Sequence, residues 1–236
     1  TLATSYTDAE NFRKKGANAF CITNGFDVDA STTLSMTEEN SKTLPLSNST
    51  TKFTLSYIGV LEQLRNPEIL WETLNDLVQE NADFKNDFQL KFVGRLDDKI
   101  LQKIESSALK NNLTNLGYQT HDVALKHMQD STVLLMTNFP QESSKGIIPG
   151  KIFEYLATGK TILSFGPKDA DVEKILNETK AGKHFGYDEK ENLKKFILES
   201  YQNWKSGTLN QNAENIEQFS RKNLTQKLVD LMNKWF

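Results

Sequence analysis

The chain has 236 residues, 37% of them hydrophobic and 25% charged, with a net charge of −3. That length supports a substantial buried core, and the near-neutral balance excludes both the basic stripe of a nucleic-acid binder and an acidic tail. The only cysteine, Cys21, excludes an intrachain disulfide and a cysteine-built zinc site, and it predicts a reducing, cytoplasmic setting.

No run of about 18 apolar residues occurs, and the start of the chain carries no charged-then-apolar leader, so neither a membrane span nor an export signal is expected. The chain opens on Thr1 just ahead of a helical pattern, which predicts a piece of something longer. Asn-x-Ser/Thr triplets at Asn48, Asn112, Asn177 and Asn223 fit chance in a chain rich in Asn and Thr.

In chain order, a helix is predicted over 7–15, a short strand over 19–23 and a turn at Asn24-Gly25-Phe26-Asp27. Residues 30–52 shift to Ser, Thr, Asn and Glu with little apolar periodicity, which reads as a connection. The expected organisation is therefore the end of a truncated N-terminal domain over 1–30, a linker over 31–52 and a main domain over 53–236.

From there strands and helices alternate. Strands are predicted at 53–58, 88–93, 113–116, 132–136, 161–165 and 184–185. Helices are predicted at 67–81, 97–109, 122–129, 149–158, 169–177, 189–204 and, as one or two pieces, over 214–235. This alternation predicts an α/β fold, a Rossmann-like parallel sheet with helices on both faces joined by right-handed crossovers. Ligands of such sheets bind beyond the carboxyl ends of the strands, where strand order reverses. That rule selects the loops 59–66, 117–120 and 138–150.

The stretch 144–163 is the most informative. Pro149, favoured in a first helical turn, and Gly159, favoured past a last one, bracket a short helix. Ile152, Phe153, Tyr155 and Leu156 supply its apolar face, while Lys151 and Glu154 fall on a polar side. Amides at the helix start beside a lysine suit a phosphate, and a carboxylate one turn on suits a sugar diol. An ordinary capped helix with a surface ion pair accounts for the same spacing. Arg65, just ahead of the first helix of the main domain, has the fork geometry for an anion and is equally readable as a solvated charge.

The chain contains no Gly-x-Gly-x-x-Gly and no Gly-x-x-x-x-Gly-Lys-Ser/Thr, so dinucleotide and P-loop chemistry are not expected. Asp169-Ala170-Asp171 imitates an Asp-x-Asp metal motif, but its place ahead of an apolar-periodic helix reads as capping. His121, His127 and His184 lack metal-ligand spacing and are assigned no chemistry.

Tyr-Ile-Gly-x-Leu…Arg-Asn-Pro over 57–67, Lys-Phe-Val-Gly over 91–94, Leu-Gly-Tyr over 116–118 and above all Pro-Gly-Lys-Ile-Phe-Glu-Tyr-Leu-Ala-Thr-Gly-Lys-Thr-Ile-Leu over 149–163 resemble the C-terminal, donor-binding domain of GT-B glycosyltransferases of the group-one, family-four type. The segment 22–27 resembles the exit from their N-terminal domain. The resemblance implies a retaining transferase of the hexosyltransferase type, with no metal and no cofactor. Its donor is a nucleotide-diphosphate sugar, and its glycan or lipid-linked acceptor is held by an N-terminal domain absent from this chain. It also implies polysaccharide biosynthesis in the cytoplasm, peripheral membrane association of the whole protein and an isolated chain that transfers nothing.

By the same resemblance Arg65, Gly150 and Lys151 meet the donor diphosphate, Glu154 the ribose, and Tyr118 with Gln119 the base; no catalytic residue is assigned. The family's first glutamate falls on Gly146 and its loop arginine on Val60. A non-catalytic nucleotide-sugar-binding or assembly module, and a nucleotide-sugar epimerase, are the alternative readings.

Overall fold

The computed structural model describes residues 1–27, 52–209 and 213–234. The predicted linker 31–52 lies outside the described residues except for Lys52.

The main sheet forms from β3 (Phe53–Ile58), β4 (Phe88–Val93), β5 (Leu113–Asn115), β6 (Val133–Thr137), β7 (Thr161–Phe165) and β8 (Gly182–Phe185). All pair in parallel, in the order β5-β4-β3-β6-β7-β8. Every residue of β3 and β6 is buried; β6 reads as a nearly continuous apolar run, while β3 alternates Phe53, Leu55 and Tyr57 with Thr54 and Ser56, whose hydroxyls are hydrogen-bonded within the protein.

Alternation along each strand separates two cores. Leu55, Tyr57, Val133, Leu135, Leu163 and Phe165 face α2 (Glu68–Glu80), α4 (Asp98–Glu105) and α8 (Lys190–Lys205) through Leu74, Ile100 and Ile197. Ile58, Leu134, Met136 and Ile162 face α5 (His121–Gln129), α6 (Lys151–Ala157) and α7 (Asp171–Thr179) through Met128, Phe153 and Ile175. Each such side chain withdrawn from water contributes about 1.5–3 kcal/mol. The sheet thus has the predicted two-sided cover.

Several elements differ from the sequence pattern. A short helix, α3 (Ala82–Asp87), follows α2 directly, because Asn81 ends one helix and caps the next by accepting from Phe84 N at 3.0 Å. The predicted helix 97–109 stops at Glu105. There Ser106 and Ser107 hydroxyls donate to Lys103 O and Ile104 O, and a 3-10 turn over Ala108–Asn112 takes over. The C-terminal piece divides into a 3-10 turn (Ile216–Phe219) and α9 (Arg221–Asn233).

The N-terminal residues form β1 (Leu2–Ala3), α1 (Tyr6–Lys14) and β2 (Phe20–Cys21), with β1 and β2 paired in parallel as a separate two-stranded sheet. Contacts at both ends of this piece fasten it to the main domain. Phe26 N donates to Phe219 O at 3.1 Å and Arg221 N to Phe26 O at 2.8 Å. Gly25 is required there, since a Cβ would stand 2.2 Å from Phe219 O.

The contact at the other end corrects the capping assignment. Residue Asp169 lies outside α7 in the left-handed region (φ 57°), and the cap position of α7 is Ala170. Asp171, fully buried as the first residue of α7, turns away and accepts from Thr7 N at 2.9 Å and Thr7 Oγ1 at 2.8 Å. Its carboxylate therefore caps α1, which lies far away in sequence.

Candidate functional site at the strand ends

Strand order reverses between β3 and β6, so their carboxyl ends diverge into loops on opposite sides of a crevice. The rim on the β3 side is built from backbone. Gly59 N donates to Val93 O and Gly94 N to Gly117 O, both at 2.7 Å. Gly59 and Gly94 both have φ near +120°, and a Cβ on Gly94 would meet Gly59 O at 2.2 Å. Side chains are thereby excluded from the ends of two adjacent strands.

Onto this rim comes Lys151, the first residue of α6. Its Nζ lies 4.2 Å from the centroid of the Tyr57 ring, donates to Ile58 O at 3.3 Å and stands 3.8 Å from where a Gly59 Cβ would be. Burial pushes the ammonium below the ordinary lysine range, and Arg65 pushes it the same way. The predicted polar side shared by Lys151 and Glu154 is not observed. Lys151 folds under the loop after β3 while Glu154 points outward, and among the described residues no ion pair joins them.

Arg65 ends a 3-10 turn over Gln63–Arg65. Its Nη2 donates to Val60 O at 3.1 Å and lies 3.5 Å from Glu62 Oε2, and the guanidinium sits 5.4 Å from the Phe139 ring centroid. Its Nε is buried with no partner among the described residues. The Tyr57 hydroxyl donates to the same Val60 carbonyl at 2.9 Å. Two cations from distant parts of the chain thus stand at one strand end, Arg65 with Glu62 at 3.5 Å and Lys151 with only the weaker, opposing pull of the Tyr57 hydroxyl and Glu154 against its burial.

Gly150 holds the cap position of α6, so the helix begins at Lys151, two residues later than the Pro149 start read from the sequence. Ile152 N and Phe153 N are taken by Pro149 O and Gly150 O, which leaves the amides of Gly150 and Lys151 without an acceptor among the described residues. Gly159 closes the helix as predicted, at φ 65°, donating to Leu156 O.

Gly150 and Glu154 line a cleft of about 500 Å³ together with Asn24, Asp27, His121 and Arg221, floored by Leu125 and Phe153. Asp27 and Arg221 are paired across it at 2.6 Å. Tyr118, at 88% exposure, and Gln119, whose Nε2 donates to Leu116 O at 2.8 Å, do not line this cleft; His121, one turn on, does. His121 and Arg221 escaped the sequence reading because only the tertiary fold brings α5, α9 and the 24–27 turn to one wall. Another cavity, about 220 Å³, opens at the opposite ends of β7 and β8 beside Lys160, Lys183 and Glu199, away from every predicted site residue.

At Gly146, the position on which the expected first glutamate falls, a Cβ would stand 3.2 Å from both Ser5 Oγ and Thr7 Cβ, so the N-terminal piece packs against that residue. His184 is buried, with Nδ1 3.0 Å from Ser164 Oγ and Nε2 3.1 Å from Pro167 O, and burial pushes its pKa down. It pins the turn after β7 and faces no cleft described above.

No family profile and no curated protein sequence matches the chain. Solved structures do match. HepE of Anabaena, in complex with UDP-glucose, has a TM-score of 0.69 at 18% identity over 99% of this chain and 63% of HepE. A mutant of TarM from S. aureus, in complex with Fondaparinux, alpha-GlcNAc-glycerol and UDP, has a TM-score of 0.68 at 17% identity over 98% of this chain and 43% of TarM. The lipopolysaccharide outer core galactosyltransferase WaaB, in its apo form, has a TM-score of 0.68 at 13% identity, covering all of this chain and 62% of WaaB. The chain therefore spans 43–63% of the length of these proteins. At such identities the likeness is one of fold, and the fold is that of one Rossmann-like half of the GT-B glycosyltransferases.

Proposed function

We propose that the chain is the donor-binding part of a retaining, metal-independent glycosyltransferase that moves a sugar from a nucleotide-diphosphate sugar to a glycan or lipid-linked acceptor. The observation that carries this reading is the convergence of Arg65 and Lys151 at the β3 end, beside the free amides of Gly150 and Lys151. Two cations at one strand end repel each other, as the downward push of Arg65 on Lys151 reflects, and an anion beside both relieves that cost. When the bond from the sugar's anomeric carbon to the diphosphate breaks, negative charge grows on the diphosphate; fixed cations and amides there stabilise it by a few kcal/mol each. The sugar's anomeric carbon then bonds to the acceptor oxygen on the face that the diphosphate leaves, and the acceptor's hydroxyl proton passes to the departing phosphate oxygen.

Glu154 on the cleft wall accepts the ribose hydroxyls in this reading, and the loop of Tyr118 and Gln119 meets the base. The parallel pair β1–β2 supports a further domain, since two parallel strands seldom stand alone and Leu2 is over half exposed. That domain holds the acceptor, and the whole protein works in the cytoplasm in peripheral contact with a membrane, building a surface polysaccharide. Without it the chain transfers nothing.

HepE binds UDP-glucose and TarM binds UDP, so uridine diphosphate is the first ligand to try. Thermal melting with UDP, GDP, ADP and their sugars is the test. At a hundred times Kd a ligand adds about 2.7 kcal/mol, which raises the melting temperature of a domain this size by roughly 5–10 °C. The shift should survive EDTA. Glu154→Gln should weaken the ribonucleotide by about 1.5–3 kcal/mol and leave a dideoxyribose analogue unaffected. A melting temperature that no nucleoside diphosphate moves would refute the reading.

A further inference from the structure

Tyr187 lies in the loop after β8, and its hydroxyl reaches back past β7 and β6 toward β3. It stands 2.5 Å from Asn138 O, just beyond β6, and 3.4 Å from Arg65 O, at the end of the turn after β3. Its ring rests on Phe165 at the end of β7, with centroids 5.7 Å apart. Burial holds the hydroxyl above the ordinary tyrosine range, so it stays a donor. One O–H hydrogen serves one carbonyl at a time; the shorter contact belongs to Asn138, with Arg65 O as the second acceptor in reach.

Asn138 is fixed in turn. Its amide N donates to Phe165 O at 2.8 Å, its Nδ2 to Ile147 O at 2.9 Å, and its Oδ1 accepts from Phe139 N at 2.9 Å. A single hydroxyl therefore spans the two loops that diverge at the strand reversal, one carrying Arg65 and the other carrying the Phe139 ring on which the guanidinium rests. Tyr187 does not line the Glu154 cleft.

We propose that Tyr187 is a positioning residue for the diphosphate end of the donor: its hydroxyl sets the separation of the loops after β3 and β6, and so holds Arg65 against the Phe139 ring at the strand end that Lys151 also reaches. This inference rests on the donor-site reading above. It assigns to Tyr187 an effect on phosphate recognition with none on the nucleoside.

Calorimetric titration of the full chain tests it, using whichever of UDP, GDP and ADP binds wild type tightest, and measuring the matching nucleoside by competition. Tyr187→Phe keeps the ring on Phe165 and removes only the hydroxyl. It should lower affinity for the diphosphate about fivefold to tenfold, the loss of one hydrogen bond, and leave the nucleoside within about twofold. Added to Arg65→Ala, the same substitution should cost less than about twofold, because the group it positions is already gone. An equal loss for nucleoside and diphosphate, an undiminished loss in the Arg65→Ala background, or no loss at all would overturn the role of Tyr187 while leaving the donor site standing. Failure of wild type to bind any of the three diphosphates would overturn the donor site, and Tyr187 with it.

Discussion

Asp171→Asn isolates the contact that fastens α1 to the main domain. The wild-type carboxylate is fully buried and accepts two hydrogen bonds from Thr7, at 2.9 Å from the amide and 2.8 Å from the hydroxyl. Lys174 lies 3.5 Å away but is 45% exposed, so screening leaves it a small share. Asparagine fills the same volume, keeps one acceptor oxygen for the Thr7 amide and turns its NH2 toward the Thr7 hydroxyl, which can rotate from donor to acceptor. Two charge-assisted hydrogen bonds become neutral ones, a loss of about 1.5–3 kcal/mol, and with them goes the favourable placement of a negative charge at the starts of α1 and α7, a further 0.5–1 kcal/mol or so.

The expected total is about 2–4 kcal/mol, a fall in melting temperature of roughly 4–16 °C for a domain of this size. Urea denaturation measures the global part. Amide exchange across α1 measures the local part, which exceeds the global part if α1 detaches before the sheet unfolds. Thr7→Val keeps the amide donor and should cost only about 1 kcal/mol. If Asp171→Asn stays within about 0.5 kcal/mol of wild type and the α1 amides exchange no faster, the carboxylate does not hold the helix and the reasoning fails.

Other outcomes follow from the same geometry. Gly25→Ala forces a methyl to within 2.2 Å of Phe219 O, and denaturation should register a loss of about 3 kcal/mol. Lys151→Met should weaken diphosphate binding by about 1–3 kcal/mol in calorimetry yet leave the melting temperature equal or higher, since an ammonium without a carboxylate partner is replaced by an apolar chain. Because burial lowers the Lys151 pKa and an anion raises it again, affinity for the diphosphate should fall as pH rises through the lowered value, and proton uptake on binding should appear only in that window. A titration series carried up to the ordinary lysine range, in buffers of different ionisation enthalpy, that shows no uptake at any pH would remove Lys151 from the phosphate site. For His184, the folded value lies below the unfolded one, so the unfolded chain binds more protons in the window between them. Stability should therefore decline as pH drops below about 6.5, and His184→Gln should flatten that decline in urea titrations at stepped pH.

The alternation of strands and helices was legible because short β-rich runs, the alternating 53–58 and the apolar 133–137, are separated by segments of helical period. Strand-end loops followed from that alternation. What the sequence did not disclose was everything decided by long-range approach. A helical wheel puts Lys151 beside Glu154, but the lysine is long enough to fold beneath its own helix onto the Tyr57 ring. Asp169 and Asp171 flank a helix start, where aspartate reads as a cap, and only the docking of α1 reveals the donor pair on Thr7 that Asp171 serves. The α3 helix carries Phe84 as its single buried residue, too little for periodicity to register. Tyr187 belongs to no motif, and its importance lies wholly in which two carbonyls the fold carries to it.

The two glycines at the ends of β3 and β4 bear on how mutational scans of this protein should be interpreted. Gly94 touches no candidate ligand group, and by position alone its intolerance would be put down to folding. Yet any side chain there must displace the Gly59 carbonyl, and Gly59 is the backbone over which the Lys151 ammonium lies. A partly tolerated substitution at Gly94 would thus arrive at the phosphate end as a shifted lysine, mimicking a binding-site mutant from the neighbouring strand. Sensitivity to substitution will map onto the rim of the sheet as a whole, and separating fold from recognition along it requires ligand titrations beside every stability measurement.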